Sequence, residues 1–270
     1  MAKTTKNTEI DVVTLHQGEV KFCILGVSPF YCNRMQEKAK RELLMPRGRM
    51  TGAQKATNLK HNPIAEYQGS PYRRDGDGPT RIMMASTAFK GALAAAATDM
   101  PTTVARAQIN RLVWVVGYQV PIWGVPRLNM GVVRSADMNK TPDIRTRAVI
   151  DEWASEVVLR YAEPMLTPST VATLLAAAGM IIGVGDFRQE KGKGSNGQFI
   201  IVPEDDPTYL RIKAEGGMAA QDEALDNPVC SDADTEELLE WFNTEYAKRT
   251  AGKTKAQEEP EDEDETEEAA

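Results

Sequence analysis

The chain has 270 residues and a formal net charge of −7, and its charges are strongly segregated. Residues 31–200 carry 23 Lys/Arg against 14 Asp/Glu, whereas residues 201–270 carry 6 against 22. No apolar run reaches the roughly 18 residues of a membrane span, and the three cysteines lack the spacing of a zinc site. We therefore expect a cytoplasmic protein with no membrane contact, no cofactor and no metal, whose basic body has an anionic partner.

The N-terminal part of the chain predicts one strand and one short helix. Residues 1–8 are polar, and we expect them to be disordered. Residues 20–27 (VKFCILGV) form a near-continuous apolar run that is typical of a buried central strand. The strand should end at Ser28-Pro29, because proline cannot donate to a strand ladder. Residues 33–43 carry both charge signs on one helical face and predict a short helix.

Residues 45–80 form a long segment rich in Gly, Pro, Arg and Asn, which predicts an insertion into the domain. Two tyrosines, Tyr67 and Tyr72, lie among its basic residues, a combination suited to stacking of bases and to phosphate contacts. A disordered insertion without a role is the alternative. The candidate nucleic-acid-binding residues of this segment are Arg47, Arg49, Arg73 and Arg74.

The middle of the chain predicts a helix followed by several strands. Residues 86–99 (STAFKGALAAAATD) are rich in alanine and predict a helix against which another element can pack closely. Residues 111–120, 144–150 and 156–161 have the apolar patterns of strands. Arg145 and Arg147 fall on one face of the second strand and form a candidate phosphate-binding stripe, although an exposed sheet face would have the same pattern.

Residues 166–202 predict a helix, a glycine-rich loop and a buried strand in succession. Thr167 and Pro168 suit the start of the helix, and residues 199–202 (FIIV) suit the strand. The loop interleaves glycines with three cations, so that backbone N–H groups could approach a polyanion closely. A flexible hairpin with solubilising charges is the alternative. The candidate binding residues of the loop are Gly185, Arg188, Lys191, Gly192, Lys193 and Gly194.

The C-terminal part divides into an extension and an acidic tail. Residues 204–249 form the extension, and its final residues, 235–248, predict a helix with an apolar stripe. Residues 250–270 end in a run with nine Asp/Glu that cannot bury enough apolar surface to fold, and we expect this tail to be disordered. The tail either competes with an anionic ligand for the basic body or only aids solubility.

Residues 9–203 contain the predicted core elements in a recognisable order. Without the insertion at residues 45–80, the order is β-α-β-β-α-β, the split topology of ferredoxin-like and RRM-like domains. The sequence therefore predicts an α+β fold: an antiparallel, ferredoxin-like or RRM-like sheet with two helices, long insertions and a glycine-rich loop before the last core strand.

Three stretches resemble the RAMP superfamily, the RNA-binding backbone subunits of CRISPR effector complexes. They are LGVSP at residues 25–29, ASTAFKGAL at residues 85–93, and the glycine loop of residues 183–199. The second stretch lacks the family's leading Pro-Gly, and the chain is similar to stand-alone relatives that phages encode and that would act in the host cytoplasm. The resemblance implies an RRM-like core that holds single-stranded nucleic acid, RNA rather than DNA, on a sheet face near the glycine loop and the helix that carries Lys90.

Few residues of this sequence suggest catalysis. His16 and His61 are the two histidines, and no paired carboxylates or nucleophile motif accompanies them. Asp186 could hold a metal or support acid cleavage, but bonding to the N–H groups of its own loop is the simpler role. We predict a protein that binds single-stranded nucleic acid without cleaving it and that could coat the strand by self-association. The alternatives are a phage accessory, assembly or inhibitor protein that acts through protein contacts, and a ribonuclease that uses a loop carboxylate or histidine.

Overall fold

The computed structural model describes residues 14–45, 61–100, 104–134, 141–191 and 194–257, and within them it contains ten strands and eight α-helices. The strands are β1 (His16–Gly26), β2 (Phe30–Tyr31), β3 (Tyr72–Arg73), β4 (Ile82–Ala85), β5 (Val113–Val115), β6 (Gln119–Trp123), β7 (Arg127–Arg134), β8 (Pro142–Ile150), β9 (Ala154–Glu163) and β10 (Phe199–Val202). The helices are α1 (Glu37–Leu44), α2 (Pro63–Gly69), α3 (Ser86–Asp99), α4 (Arg106–Leu112), α5 (Pro168–Ala177), α6 (Pro207–Glu215), α7 (Met218–Asp226) and α8 (Ala233–Gln257).

The central sheet begins with the strand order β10-β1-β9, and both β5 and β6 pair with the far side of β9. Strands β4 and β3 continue the sheet beyond β6, and every pairing in it is antiparallel. The path β1-α3-β5-β9-α5-β10 places its four strands in the spatial order 4-1-3-2, which is the split β-α-β-β-α-β arrangement. The predicted α+β fold with an antiparallel, ferredoxin-like sheet is therefore confirmed.

Helices α3 and α5 pack on one face of the central sheet. Phe22 and Ile24 of β1 and Val157 and Leu159 of β9 point toward them and are buried in the main core. The buried residues of α3 are mostly alanines, so its backbone can lie close to its neighbours. This helix has the bounds that the sequence predicted.

Helix α6 covers the centre of the opposite face of this sheet. Its Tyr209 and Ile212 pack in a second cluster with Cys23, Trp123 and Ala154. The resemblance to the RAMP superfamily implied that a ligand lies on a sheet face. On the face away from α3 and α5, the centre is thus occupied by the chain itself. The sequence did not predict α6 or α7, which fill much of the C-terminal extension.

A second sheet has the order β2-β8-β7 and stands beside the first. Strands β7 and β8 form an antiparallel hairpin whose connecting residues 135–140 lie outside the described residues. Trp153 links the two sheets, because its ring lies 5.3 Å from that of Phe30 in β2 and 6.2 Å from that of Phe199 in β10. Its indole N–H donates to the Ser28 carbonyl at 2.8 Å.

The prediction of one strand over residues 111–120 is wrong. Arg111 and Leu112 end helix α4, and the strand begins only at Val113. The chain then turns at Gly117, whose φ of +83° is in the left-handed region, before β6 begins at Gln119. The run of apolar residues extends from the end of a helix through a short strand to a turn. The sequence pattern alone does not show where one element ends and the next begins.

The stacking role predicted for Tyr67 is also wrong. Within the described part of the 45–80 segment, α2 and β3 are regular elements, and Tyr67 on α2 is fully buried. Its hydroxyl donates to the backbone carbonyl of Ala224 at 2.8 Å, so that α2 is fixed to the end of α7. The ring has no accessible face for a base.

Candidate nucleic-acid interface

A cleft of about 440 Å³ opens along one edge of β8. Its walls are residues 143–147 of β8, the segment 32–36 that follows β2, and a part of the chain at α2 that includes His61, Glu66 and Ser70. We call this space the β8 cleft. It brings together residues that are widely separated in sequence.

The β8 cleft exists because β2 is much shorter than β8. β2 pairs only with the last two residues of β8, and the Cys32 N–H then donates to the Ala148 carbonyl at 2.9 Å. The Ala148 N–H donates to the hydroxyl of Ser70 at 2.8 Å. Alternate residues of an antiparallel strand direct their backbone groups to the same side, so the N–H and C=O groups of Ile144 and Thr146 face the cleft. This edge of β8 is therefore available to a polar ligand.

Arg147 is the buried cation of the cleft. Its side chain is 6% exposed, and one terminal nitrogen donates to the Asp186 carboxylate at 2.6 Å. The guanidinium lies over the Phe187 ring, 4.6 Å from the centroid. Burial lowers the pKa of Arg147 and the nearby Arg145 lowers it further, while Asp186 opposes both, and an arginine stays protonated in any case. Its Nε is buried and has no hydrogen-bond partner among the described residues.

Arg145 and Arg34 supply the accessible charges of the cleft. Arg145 is exposed and Arg34 is half-buried, and neither forms an ion pair within the described residues. The predicted stripe of Arg145 and Arg147 thus consists of one accessible and one buried guanidinium. The sequence analysis gave Arg34 no role, because it lies just before α1 in a stretch predicted to be helical. Its N–H donates to the Ser70 carbonyl at 2.7 Å, which holds it beside β8.

His61 sits between two carboxylates at the rim of the cleft. Its Nδ1 is 2.9 Å from Glu66 and its Nε2 is 3.1 Å from Asp143, so the ring joins the start of α2 to β8. Both ring nitrogens are thereby engaged. A catalytic histidine needs one nitrogen within reach of the proton that it moves. This geometry does not favour the ribonuclease alternative that relies on His61.

The glycine loop between α5 and β10 packs against the turn that joins β1 to β2. The Gly197 N–H donates to the Pro29 carbonyl at 2.9 Å, and the Asp186 N–H donates to the Tyr31 carbonyl at 3.1 Å. A Cβ at Gly185 would lie 2.8 Å from that same Tyr31 carbonyl. Glycine is needed here for close approach between two parts of the chain. The glycines of the loop with positive φ are Gly183 (+75°), Gly185 (+86°) and Gly197 (+69°).

The cations predicted in the glycine loop have different surroundings. Arg188 bonds to Glu190 at 2.7 Å and donates to the Gly185 carbonyl at 3.2 Å. Its guanidinium therefore contacts residues of its own loop. Lys191 ends a 3-10 turn, Gln189–Lys191, and Gly192 and Lys193 lie outside the described residues. Gly194 packs against Phe187, whose carbonyl oxygen would be 1.5 Å from an added Cβ. The Asp186 carboxylate is bound by Arg147, not by the loop N–H groups that the simpler interpretation named.

Of the remaining predicted residues, those that the structure describes lie away from the cleft. Arg73 and Arg74 belong to β3 and its following turn at the outer edge of the central sheet. Burial lowers the pKa of Arg73, and Asp226 and Asp222 oppose this effect. Arg74 donates to the Met83 sulfur at 3.6 Å. Lys90 is half-buried on α3, and Arg47 and Arg49 lie outside the described residues.

The described residues form neither a metal-binding cluster nor a membrane-spanning helix. The described part of the chain has no group of three or more His, Cys, Asp and Glu residues that could hold a metal ion. Among its helices, none combines the length and the apolar character that crossing a membrane requires.

We expect Gly197→Ala to destabilise the protein by about 1–3 kcal/mol, because an alanine would be forced into the left-handed region. Its Cβ would also lie 1.7 Å from the Val184 carbonyl oxygen, so the loop would have to move off the β1–β2 turn. Thermal unfolding followed by circular dichroism measures this effect. Gly91→Ala is the matched control: it lies within α3 with open space around the added Cβ, and it should leave stability unchanged or raise it slightly. Equal melting temperatures for the two variants would contradict the packed loop.

Comparisons with known proteins give little further information. No protein-family profile and no curated protein matches the chain. Among solved structures, it is similar to the crystal structure of Cmr6 from Pyrococcus furiosus, with 9% sequence identity and a TM-score of 0.35. That match covers 69% of this chain and 98% of the other. A TM-score of this size does not establish a common fold, and no conclusion below rests on it.

Proposed function

We propose that this protein binds single-stranded nucleic acid, RNA in preference to DNA, in the β8 cleft and does not cleave it. One observation carries the proposal. Three arginines, Arg34, Arg145 and Arg147, converge on an open strand edge. A planar guanidinium donates two parallel hydrogen bonds to a phosphate, which suits such a cluster to a polyanion.

Other features of the cleft favour a single strand. The Thr146 hydroxyl is buried without a hydrogen-bond partner in the described part of the chain, and the backbone groups of Ile144 and Thr146 face the same space. These neutral groups can bond to a ribose hydroxyl or to the edge of an unpaired base. In a duplex the Watson–Crick edge of each base is already bonded to its partner base.

The absence of cleavage is part of the proposal and rests on two contacts. Both nitrogens of His61 are bound to carboxylates, and Asp186 is bound to Arg147. Neither side chain is therefore poised to exchange a proton with a phosphodiester. A ribonuclease that used His61 or Asp186 would have to break the contact of that side chain before each turnover.

We further propose that the protein is a stand-alone, phage-encoded relative of the RAMP superfamily and that it acts in the cytoplasm. Its support is the three sequence stretches together with the 4-1-3-2 sheet. The LGVSP stretch ends β1 and forms the turn on which the glycine loop packs, and ASTAFKGAL opens α3. Self-association along the strand is a further part of this proposal. An assembly or inhibitor protein that acts only through protein contacts is the rival, and it would bind no oligonucleotide.

The double variant Arg34→Ala with Arg145→Ala should weaken binding of a labelled single-stranded RNA by roughly tenfold at about 100 mM salt. Two phosphate contacts would be lost, so the slope of log K against log salt should become shallower by about 1.4. Fluorescence anisotropy over a salt series measures both quantities. Stability should change by less than about 0.5 kcal/mol, since neither side chain is paired.

The matched control is Arg106→Ala with Arg111→Ala, which removes the same charge from α4. This helix packs on α3 and β5 and takes no part in the cleft. The control should bind RNA with almost the affinity and the salt slope of the unchanged protein. If the two double variants lose affinity equally, binding is a property of net charge alone and the cleft has no special role.

A further inference from the structure

A second cavity, of about 250 Å³, lies between α8 and the β7–β8 hairpin. Its walls are almost entirely apolar and are formed mainly by Met130, Ile144, Leu238, Trp241, Phe242 and Tyr246. We call it the aromatic groove. The Phe242 and Tyr246 rings stack nearly parallel to each other, with centroids 6.1 Å apart.

The aromatic groove is open to solvent at its aromatic side. Trp241 is 63% exposed and Tyr246 is 48% exposed, although both are large amphipathic side chains that proteins normally cover. An exposed indole next to two further aromatic rings is suited to receive another planar ring.

The groove adjoins the β8 cleft. His61 and Ile144 line both spaces, so the two cavities are neighbours along the same stretch of β8. The arginine cluster lies on one side of this junction and the aromatic side chains lie on the other. A strand whose phosphates contact the arginines would therefore have its next bases at the mouth of the groove.

The charge along α8 changes sign beside the groove. Residues 236–245 of α8 are acidic, whereas the sequence from Lys248 to the end of the helix carries four cations and no carboxylate. Arg249 lines the groove and bonds at 2.8 Å to Glu245, the carboxylate among the lining residues.

We propose that the aromatic groove is a base-binding subsite, in which a nucleobase of the strand held in the β8 cleft stacks on Trp241. This inference rests on the proposed function and adds to it a position where bases, and not only phosphates, are contacted. Stacking has no preference for a particular base, because every base has an aromatic face. The subsite therefore selects unpaired, unstacked strands over duplexes.

The test compares Trp241→Ala, Trp241→Phe and Trp114→Ala in binding to a labelled single-stranded RNA. Trp241→Ala should weaken binding about 5- to 150-fold, the range for loss of one base stacked on an aromatic ring. Trp241→Phe should retain most of the affinity. The salt slope should stay unchanged in both, because no phosphate contact is lost. Trp114→Ala, which removes another exposed indole from the central sheet, should bind normally.

A strand of abasic sugar-phosphate distinguishes the subsite from a general loss of binding. It should bind the unchanged protein and Trp241→Ala equally well. If the unchanged protein binds no RNA, the proposed function itself fails. If it binds RNA and Trp241→Ala binds equally tightly, the subsite is rejected while the arginine cleft stands. A change from dimer to monomer in Trp241→Ala, with RNA affinity unaltered, would assign the groove to a second copy of this chain and overturn the inference.

Discussion

Replacing Trp153 with alanine should lower the free energy of unfolding by about 3–5 kcal/mol, the usual cost of removing a large aromatic side chain from a core. The side chain is fully buried between Phe30 and Phe199, and it fills the space left by Gly26, where a Cβ would lie 2.1 Å from the indole nitrogen. No neighbour can fill the resulting cavity, because Phe30 and Phe199 belong to different sheets. The melting temperature should fall by roughly 10 °C.

The same substitution should also disturb the structure near the candidate site, because Trp153 fixes the turn on which the glycine loop packs. Its N–H bond to the Ser28 carbonyl holds that turn. Trp153→Phe is the matched control: it keeps most of the ring volume and loses the hydrogen bond, and it should cost about 1–2 kcal/mol. A result in which Trp153→Ala costs no more than Trp153→Phe would show that the indole does not join the two sheets.

Removal of the Asp186 side chain should cause the second large loss of stability. Asp186→Ala leaves the Arg147 guanidinium buried without its carboxylate, and loss of one member of a buried ion pair typically costs about 3–5 kcal/mol. Since Asp186 is itself 25% exposed, water can reach the pair, and we expect about 2–3 kcal/mol. Chemical denaturation of the variant measures this loss.

The double variant Arg147→Leu with Asp186→Ala provides the control. It removes both charges together, so it should be more stable than Asp186→Ala alone and give a coupling energy of at least 1 kcal/mol in the mutant cycle. Asp186→Ala should also bind RNA at least as tightly as the unchanged protein, because a negative charge next to the cleft is gone. Loss of RNA cleavage in this variant, together with cleavage by the unchanged protein, would instead support the ribonuclease alternative.

Much of the core could be predicted from the sequence because local pattern and burial agree there. The helix at Ser86–Asp99 and the strand at Phe199–Val202 have the predicted bounds. An alanine-rich run favours a helix, and a short apolar run next to glycines favours a strand. The strand was predicted to be buried, but it lies at the edge of the central sheet, and of its four residues only Phe199 is buried. Thr167 caps α5 as predicted, with its hydroxyl accepting from the Thr170 N–H at 3.2 Å.

The site was less accessible to sequence reasoning because it depends on long-range contacts. Arg34 and Arg145 come together only when the residues after β2 pass along the edge of β8, and no local signal marks this approach. Tyr67 lies among residues whose composition is typical of a loop, yet contacts with α7 bury it. The stripe on β8 was visible in the alternation of the strand, but the Asp186 contact that buries Arg147 was not.

The central claim is that the ligand lies in the β8 cleft, and photo-cross-linking locates it most directly. A single-stranded RNA that contains 4-thiouridine would be bound, irradiated and digested, and the attached peptides would be identified by mass spectrometry. The account predicts cross-links within residues 32–36, 61–70 and 141–147, and fewer of them in Arg34→Ala with Arg145→Ala. A base stacked on Trp241 would add cross-links within residues 238–246 of α8. Cross-links concentrated instead at the exposed Trp114 and Tyr118 of the central sheet, and insensitive to that double variant, would contradict it.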